Sequence, residues 1–131
     1  GDSRLDFYME KQDEKYLMEV KGCTLEIDGI GYFPDAPSER AVRHLHELMH
    51  AVKQGYHCIL AFVIAMPGVM VVRPNMTTHP AFGQALSEAM AAGVEVWYLP
   101  CEITADSIQI KGRKRKYYSV QDRLYPHVVI Q

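Results

Sequence analysis

Tyr56–Met66, closed by Pro67-Gly68, constrains the chain more than any other stretch. It is apolar on both sides of a strand's alternation and rich in Ile, Leu, Val and Phe, the composition of a central strand covered on both faces. A chain holding such a strand must supply layers to cover it. The run is also far short of the roughly 20 apolar residues of a membrane-spanning helix. With no secretory leader read before it, the expectation is a cytoplasmic protein without a membrane partner.

The rest of the composition agrees with one globular domain. The chain has 131 residues, 48% of them hydrophobic and 23% charged, which excludes a disordered or fibrous chain. Cys23, Cys58 and Cys101 are odd in number, widely spaced and free of any C-x-x-C, so neither a disulfide framework nor a zinc finger is expected. A net charge of −2 does not announce a nucleic-acid binder. The basic cluster Lys111, Arg113, Lys114, Arg115 and Lys116, followed by Tyr117 and Tyr118, can meet phosphate or simply face water.

Alternation predicts strands at residues 4–10 and 15–21, and a third at 23–33, bent or bulged near Gly29. Pro34-Asp35-Ala36-Pro37 breaks the pattern, and Asp35 reads as a turn former or a further acidic group. Ser38 then caps a helix over Glu39–Gln54, whose stripe is Ala41, Val42, Leu45, Leu48, Met49 and Val52, ended by Gly55. A loop from Pro67 to Thr78 leads to a second helix, from Pro80 to Gly93. Strands follow at Val94–Leu99 and within Glu102–Ile110. The expected fold class is α/β, a mixed β-sheet flanked by helices.

The first hairpin carries the chemistry. A turn centred between Gln12 and Asp13 sets Leu5, Phe7 and Met9 opposite Val20, Met18 and Tyr16 on one face. On the other face Asp6 opposes Glu19 and Arg4 opposes Lys21. Gln-Asp is not a favoured two-residue turn, which leaves the register open by one residue. Facing carboxylates repel unless a cation lies between them, and an oxygen-rich pair beside a lysine suits Mg²⁺ or Mn²⁺. The competing reading is a solvated face with crosswise ion pairs, Asp6 with Lys21 and Glu19 with Arg4.

Asp-x12-Glu-x-Lys on adjacent strands resembles the core of PD-(D/E)xK nucleases. That resemblance implies Asp6, Glu19 and the Val20 carbonyl as metal ligands, and Lys21 as the group that activates the attacking water. The text around it is more specific: Ser3-Arg4-Leu5-Asp6-Phe7, Glu19-Val20-Lys21-Gly22-Cys23-Thr24-Leu25 and Tyr32-Phe33-Pro34-Asp35-Ala36-Pro37-Ser38-Glu39-Arg40. With His44-Leu45, Glu47-Leu48, Arg73-Pro74-Asn75, Pro80-Ala81-Phe82 and Ala92-Gly93-Val94-Glu95-Val96, these residues resemble the sugar fermentation stimulation protein A family. The likeness runs from about residue 3 to residue 110. It implies a restriction-endonuclease-like (PD-(D/E)xK) domain over 1–110, elsewhere usually preceded by an OB-fold domain that is expected to be absent here, and an association with DNA. Residues 111–131 form a basic extension, part of the same domain or a tail. Ala41 stands where the family usually has Gly, and His79 where it usually has Asp.

His46-Glu47-Leu48-Met49-His50 spells a zinc-protease motif, H-E-x-x-H. The extended metzincin form fails because Lys53 takes its glycine position, and the same stretch reads as an ordinary amphipathic helix. Arg40 and His44 share the polar side of that helix, and Arg73 and Asn75 lie on a loop after the central strand. With Arg4 they are the candidate phosphate or nucleic-acid contacts. The combined reading is a DNA-binding, metal-dependent phosphodiesterase domain, with catalytic residues Asp6, Glu19 and Lys21. The alternative is a non-catalytic DNA-binding regulator linked to sugar metabolism. The sequence leaves the oligomeric state open.

Overall fold

The computed structural model describes the backbone of residues 7–103, 108–110, 114–118 and 124–129, and the side chains of residues 7–101. Its main sheet has five strands: β1 (Phe7–Lys11), β2 (Glu14–Cys23), β5 (His57–Ile64), β7 (Glu95–Ile103) and β8 (Ile108–Ile110), side by side in the order β1-β2-β5-β7-β8. β2, β5 and β7 are parallel neighbours, while β1 and β8 run antiparallel to theirs, so the sheet is mixed as expected. β5 lies at its centre, with Cys58 to Phe62 all buried.

The hairpin register is the one obtained by centring the turn between Gln12 and Asp13: Phe7 faces Met18 and Met9 faces Tyr16. Gln12 and Asp13 adopt φ of 53° and 68°, the left-handed pair that a tight two-residue hairpin turn demands. Residues outside the preferred Asn-Gly type can therefore fill this turn when the flanking ladder holds it.

α1 (Glu39–Lys53) and α2 (Pro80–Ala92) form where their stripes and caps predict. The Ser38 hydroxyl accepts the Ala41 N–H at 3.1 Å, and Gly93 ends α2 at φ 112°. Both helices pack on one face of the sheet. Leu45 and Leu48 of α1 and Phe82, Leu86 and Ala89 of α2 share a core with Cys58, Leu60, Phe62 and Ile64 of β5. The opposite face gathers Ile59, Ala61 and Leu99 with Met18, Val20, Val63 and Trp97.

Three expectations are corrected. Residues 23–33 are not one bent strand but the strand end of β2 followed by a hairpin, β3 (Leu25–Ile27) and β4 (Ile30–Phe33), turning at Asp28-Gly29 with φ of 52° and 83°. Within the Pro67–Thr78 loop, β6 (Val72–Pro74) pairs in parallel with β4 and completes a second, three-stranded sheet. β1 is exposed along its whole length rather than half-buried: Phe7 and Met9, 59% and 60% accessible, lie on the face away from the helices, and Tyr8, on the helix side, is still 54% accessible at this edge of the sheet.

Further along, β7 extends to Ile103 and β8 follows. β9 (Lys114–Tyr118), which holds part of the basic cluster, pairs with β10 (Leu124–Val129) and lies against β7.

The two sheets are joined by a buried hydrogen bond from the Tyr98 hydroxyl to the Val72 carbonyl, 3.0 Å long. A second contact between them is the Cys23 thiol of β2, 3.4 Å from the Tyr32 carbonyl of β4, and within the small sheet the Gly31 N–H donates to the Val71 carbonyl at 3.0 Å. A Cβ at Gly31 would lie 2.9 Å from Cys23 Sγ and 3.1 Å from the Val71 carbonyl oxygen, so the backbone approach needs glycine there. Tyr98→Phe removes the hydroxyl without changing the ring, and its expected cost is about 1 kcal/mol. Urea denaturation checks this as a lower midpoint with an unchanged slope.

Candidate functional site

From Tyr16 to Cys23, β2 carries two charges, Glu19 and Lys21, among apolar neighbours. Met18 and Val20 pack on the open side, while Leu17 and Cys23 pack on the side under the helices. Glu19 and Lys21 lie on that second side, where alternation places them with Leu17 and Cys23. A carboxylate there loses most of its water, and Glu19 is only 2% exposed.

Two donors answer it. His44 Nδ1 lies 2.7 Å from Glu19 Oε1, and Lys21 Nζ lies 3.1 Å from the same oxygen. Lys21 Nζ and His44 Nδ1 are 2.8 Å apart. Lys21 keeps partial contact with water, at 14% exposure, whereas His44 is 1% exposed. Burial holds the His44 pKa below the usual imidazole value, and the Lys21 charge adds to this. The ring is therefore a neutral donor at physiological pH.

Three polar atoms around this contact are buried without a hydrogen-bond partner among the described residues: Glu19 Oε2, His44 Nε2 and Glu47 Oε1. Glu47 is one helical turn beyond His44, and its charge acts on the imidazole. Buried acceptors of this kind call for an ion, a water or a ligand group. Among the described residues no three His, Cys, Asp or Glu side chains converge as a complete metal-ligand set. The residues present fit a divalent cation in part: one carboxylate oxygen without a partner, beside a lysine.

The other candidates fall as follows. Asp6 and Arg4 lie outside the described residues. Val20 pairs with Ala61 in the parallel ladder and turns its side chain to the opposite face from Glu19. Arg40 is exposed in the first turn of α1, close enough for its charge to act on His44. Arg73 is exposed on β6. Asn75 is engaged by the chain itself: its amide donates to the Pro34 carbonyl at 3.0 Å, its side-chain oxygen accepts the Thr78 N–H, and its backbone N–H bonds Phe33. It holds the loop before α2 against the end of β4.

His44 was expected on the polar side of α1, and the structure corrects this. It falls on the stripe Ala41, His44, Leu45, Leu48, spaced i, i+3, i+4, i+7, and faces β2. That spacing is the signal that could have revealed it. His46 and His50 are both exposed.

An α/β domain with a mixed sheet and a buried carboxylate–lysine–histidine cluster on the strand beside its centre is the class defined here. The chain belongs to the sugar fermentation stimulation protein family, whose model for the "Sugar fermentation stimulation protein RE domain" matches residues 1–107. A sugar fermentation stimulation protein homolog from Desulfitobacterium hafniense (strain Y51) is 50% identical over 107 residues, covering 82% of this chain and 47% of the relative. One from Clostridium beijerinckii is 47% identical over 109 residues, covering 83% and 48%. The solved structure of Pyrococcus furiosus SfsA in complex with Ca²⁺ superposes with a TM-score of 0.78 at 31% identity, over 86% of this chain and 49% of that one. The chain thus spans about half the length of these relatives. None of its helices, among the described residues, is long and apolar enough to cross a membrane.

Lys21→Met leaves the Glu19 charge buried with one donor. The expected loss is about 1–3 kcal/mol, less than for a fully buried pair because the ammonium keeps some water. Adding Glu19→Gln to the same chain should recover part of it. A double-mutant cycle in urea measures the coupling, and additive losses would contradict it.

Proposed function

We propose that this chain is a nucleic-acid-acting domain of PD-(D/E)xK type: a phosphodiesterase dependent on Mg²⁺ or Mn²⁺, with DNA as its substrate class. The observation that carries the reading is Glu19, a buried carboxylate with one oxygen held by two donors and the other without a partner, two residues before a lysine on the same strand. Burying such a group is costly, and a fold keeps it where its charge is used. The Pyrococcus furiosus relative was solved in complex with Ca²⁺, which supports a divalent cation for this chain, since Ca²⁺, Mg²⁺ and Mn²⁺ all prefer oxygen ligands.

In this reading Asp6, Glu19 and the Val20 carbonyl hold the ion. When bound, it supplies positive charge against the phosphate and a more acidic water. Lys21, tethered at Glu19 Oε1 and still touched by solvent, orients the attacking water. Arg40, at the exposed start of α1, steadies the phosphate, and Arg4 and Arg73 extend the contact along the strand. The chemistry is positioning plus charge stabilisation, the usual means of speeding phosphoryl transfer.

Mn²⁺ titration by calorimetry on the wild type and Glu19→Ala tests the ion site; saturable binding should vanish in the variant. Cleavage of labelled single- and double-stranded DNA tests the activity. Lys21→Ala is expected to lower turnover by roughly 10²–10⁴-fold with DNA affinity retained. Metal binding and DNA binding without any cleavage by the wild type would overturn the enzymatic reading in favour of a DNA-binding regulator.

A further inference from the structure

Two heteroatoms 2.7 Å apart need a proton between them, and an ionised carboxylate has none to give. With the carboxylate ionised, the tautomer that carries the proton on His44 Nδ1 donates it to Glu19 Oε1. The other tautomer would set two lone pairs against each other at that distance. A protonated Nδ1 cannot also accept from Lys21, although Nζ is 2.8 Å away, so the lysine proton goes to Oε1 as well. One oxygen of Glu19 then takes both donors, and Oε2 has none among the described residues.

We propose that His44 is the positioning residue of this site: it locks the Glu19 carboxylate so that Oε2 alone is offered to a divalent cation. The inference rests on the metal-site reading above and changes the expected part of His44, from a phosphate contact to the group that orients the ligand. Lys21 cannot do this alone, because its chain is long and partly solvated, whereas the His44 ring is immobilised on α1 beside Leu45 and Leu48. Locking by a residue of a different element makes the carboxylate rotamer a property of the fold. Outer contacts of this sort tune metal affinity by roughly 10–100-fold.

The test is Mn²⁺ calorimetry on the full chain at fixed pH, comparing the wild type with Glu19→Gln, His44→Leu, His44→Asn and His44→Gln. An Asn amide nitrogen is as many bonds from Cβ as His Nδ1, so it can restore the donor; the Gln nitrogen is one bond further. Glu19→Gln is expected to abolish binding. His44→Leu should weaken it by roughly 10–100-fold and His44→Asn by no more than about threefold. Wild-type affinity in His44→Leu, with binding lost in Glu19→Gln, overturns the role of His44 and leaves the metal site standing. Equal weakening in the Asn and Leu variants overturns it too, as a mere packing effect. Unchanged binding in Glu19→Gln removes the metal-site reading and the His44 role with it. Where His44→Leu does not fold, the Asn and Gln variants decide: weak binding by Gln and near-native binding by Asn support the proposal, and equal binding overturns it.

Discussion

A carboxylate taken out of water must be given donors, and Glu19 receives them from two elements far apart in sequence. Lys21 comes from its own strand and His44 from the helix above. The contact therefore ties α1 to β2 in one register and leaves little room for the helix to slide. Ala41, Leu45 and Leu48 seat α1 on the apolar side chains of β5, and the imidazole, on the same stripe, is carried to the neighbouring strand. Core packing and site assembly are one event here.

The remaining architecture keeps that platform rigid. β2 pairs with β5 from Tyr16 to Cys23, Glu19 opposite Leu60, and with β1 up to Met18, so the backbone at Glu19 is tied to the central strand. The small β3-β4-β6 sheet is braced to the large one through Tyr98, Gly31 ties β4 to β6 within it, and Asn75 holds the approach to α2 against β4. Each brace is a hydrogen bond to a backbone carbonyl in a place where water is scarce, and such groups need a partner. The exposed charges, Arg40 on α1 and Arg73 on β6, are left at the periphery, where long side chains can meet a ligand without disturbing the core.

Much of this was legible in the residues. The hairpin register follows from matching the apolar alternation of Phe7 and Met9 with that of Tyr16 and Met18, since a one-residue slip would reverse every side chain. Ser38, Gly55, Pro80 and Gly93 mark the helix limits because capping chemistry is local. The pair Asp28-Gly29 is also a local signal, since it supplies the positive φ of the tight turn between β3 and β4. β6 was hidden: three residues show no usable alternation, and only pairing with β4 makes them a strand.

The sequence by itself determined the central strand, the two helices, the first hairpin and the presence of an E-x-K pair on a strand. All of these depend on contacts between near neighbours or on the pattern of one element. Only the tertiary structure decided which face of β2 the helices would cover. Tyr16, Met18 and Val20 are as apolar as Leu17 and Cys23, so composition could not choose. With the helices on the Glu19 side, the charged face became the interior and His44 became its partner, while the apolar face of β1 was left toward solvent. That choice is made by how β5 and the helix stripes pack as a whole, a balance of long-range burial that no window of the sequence contains.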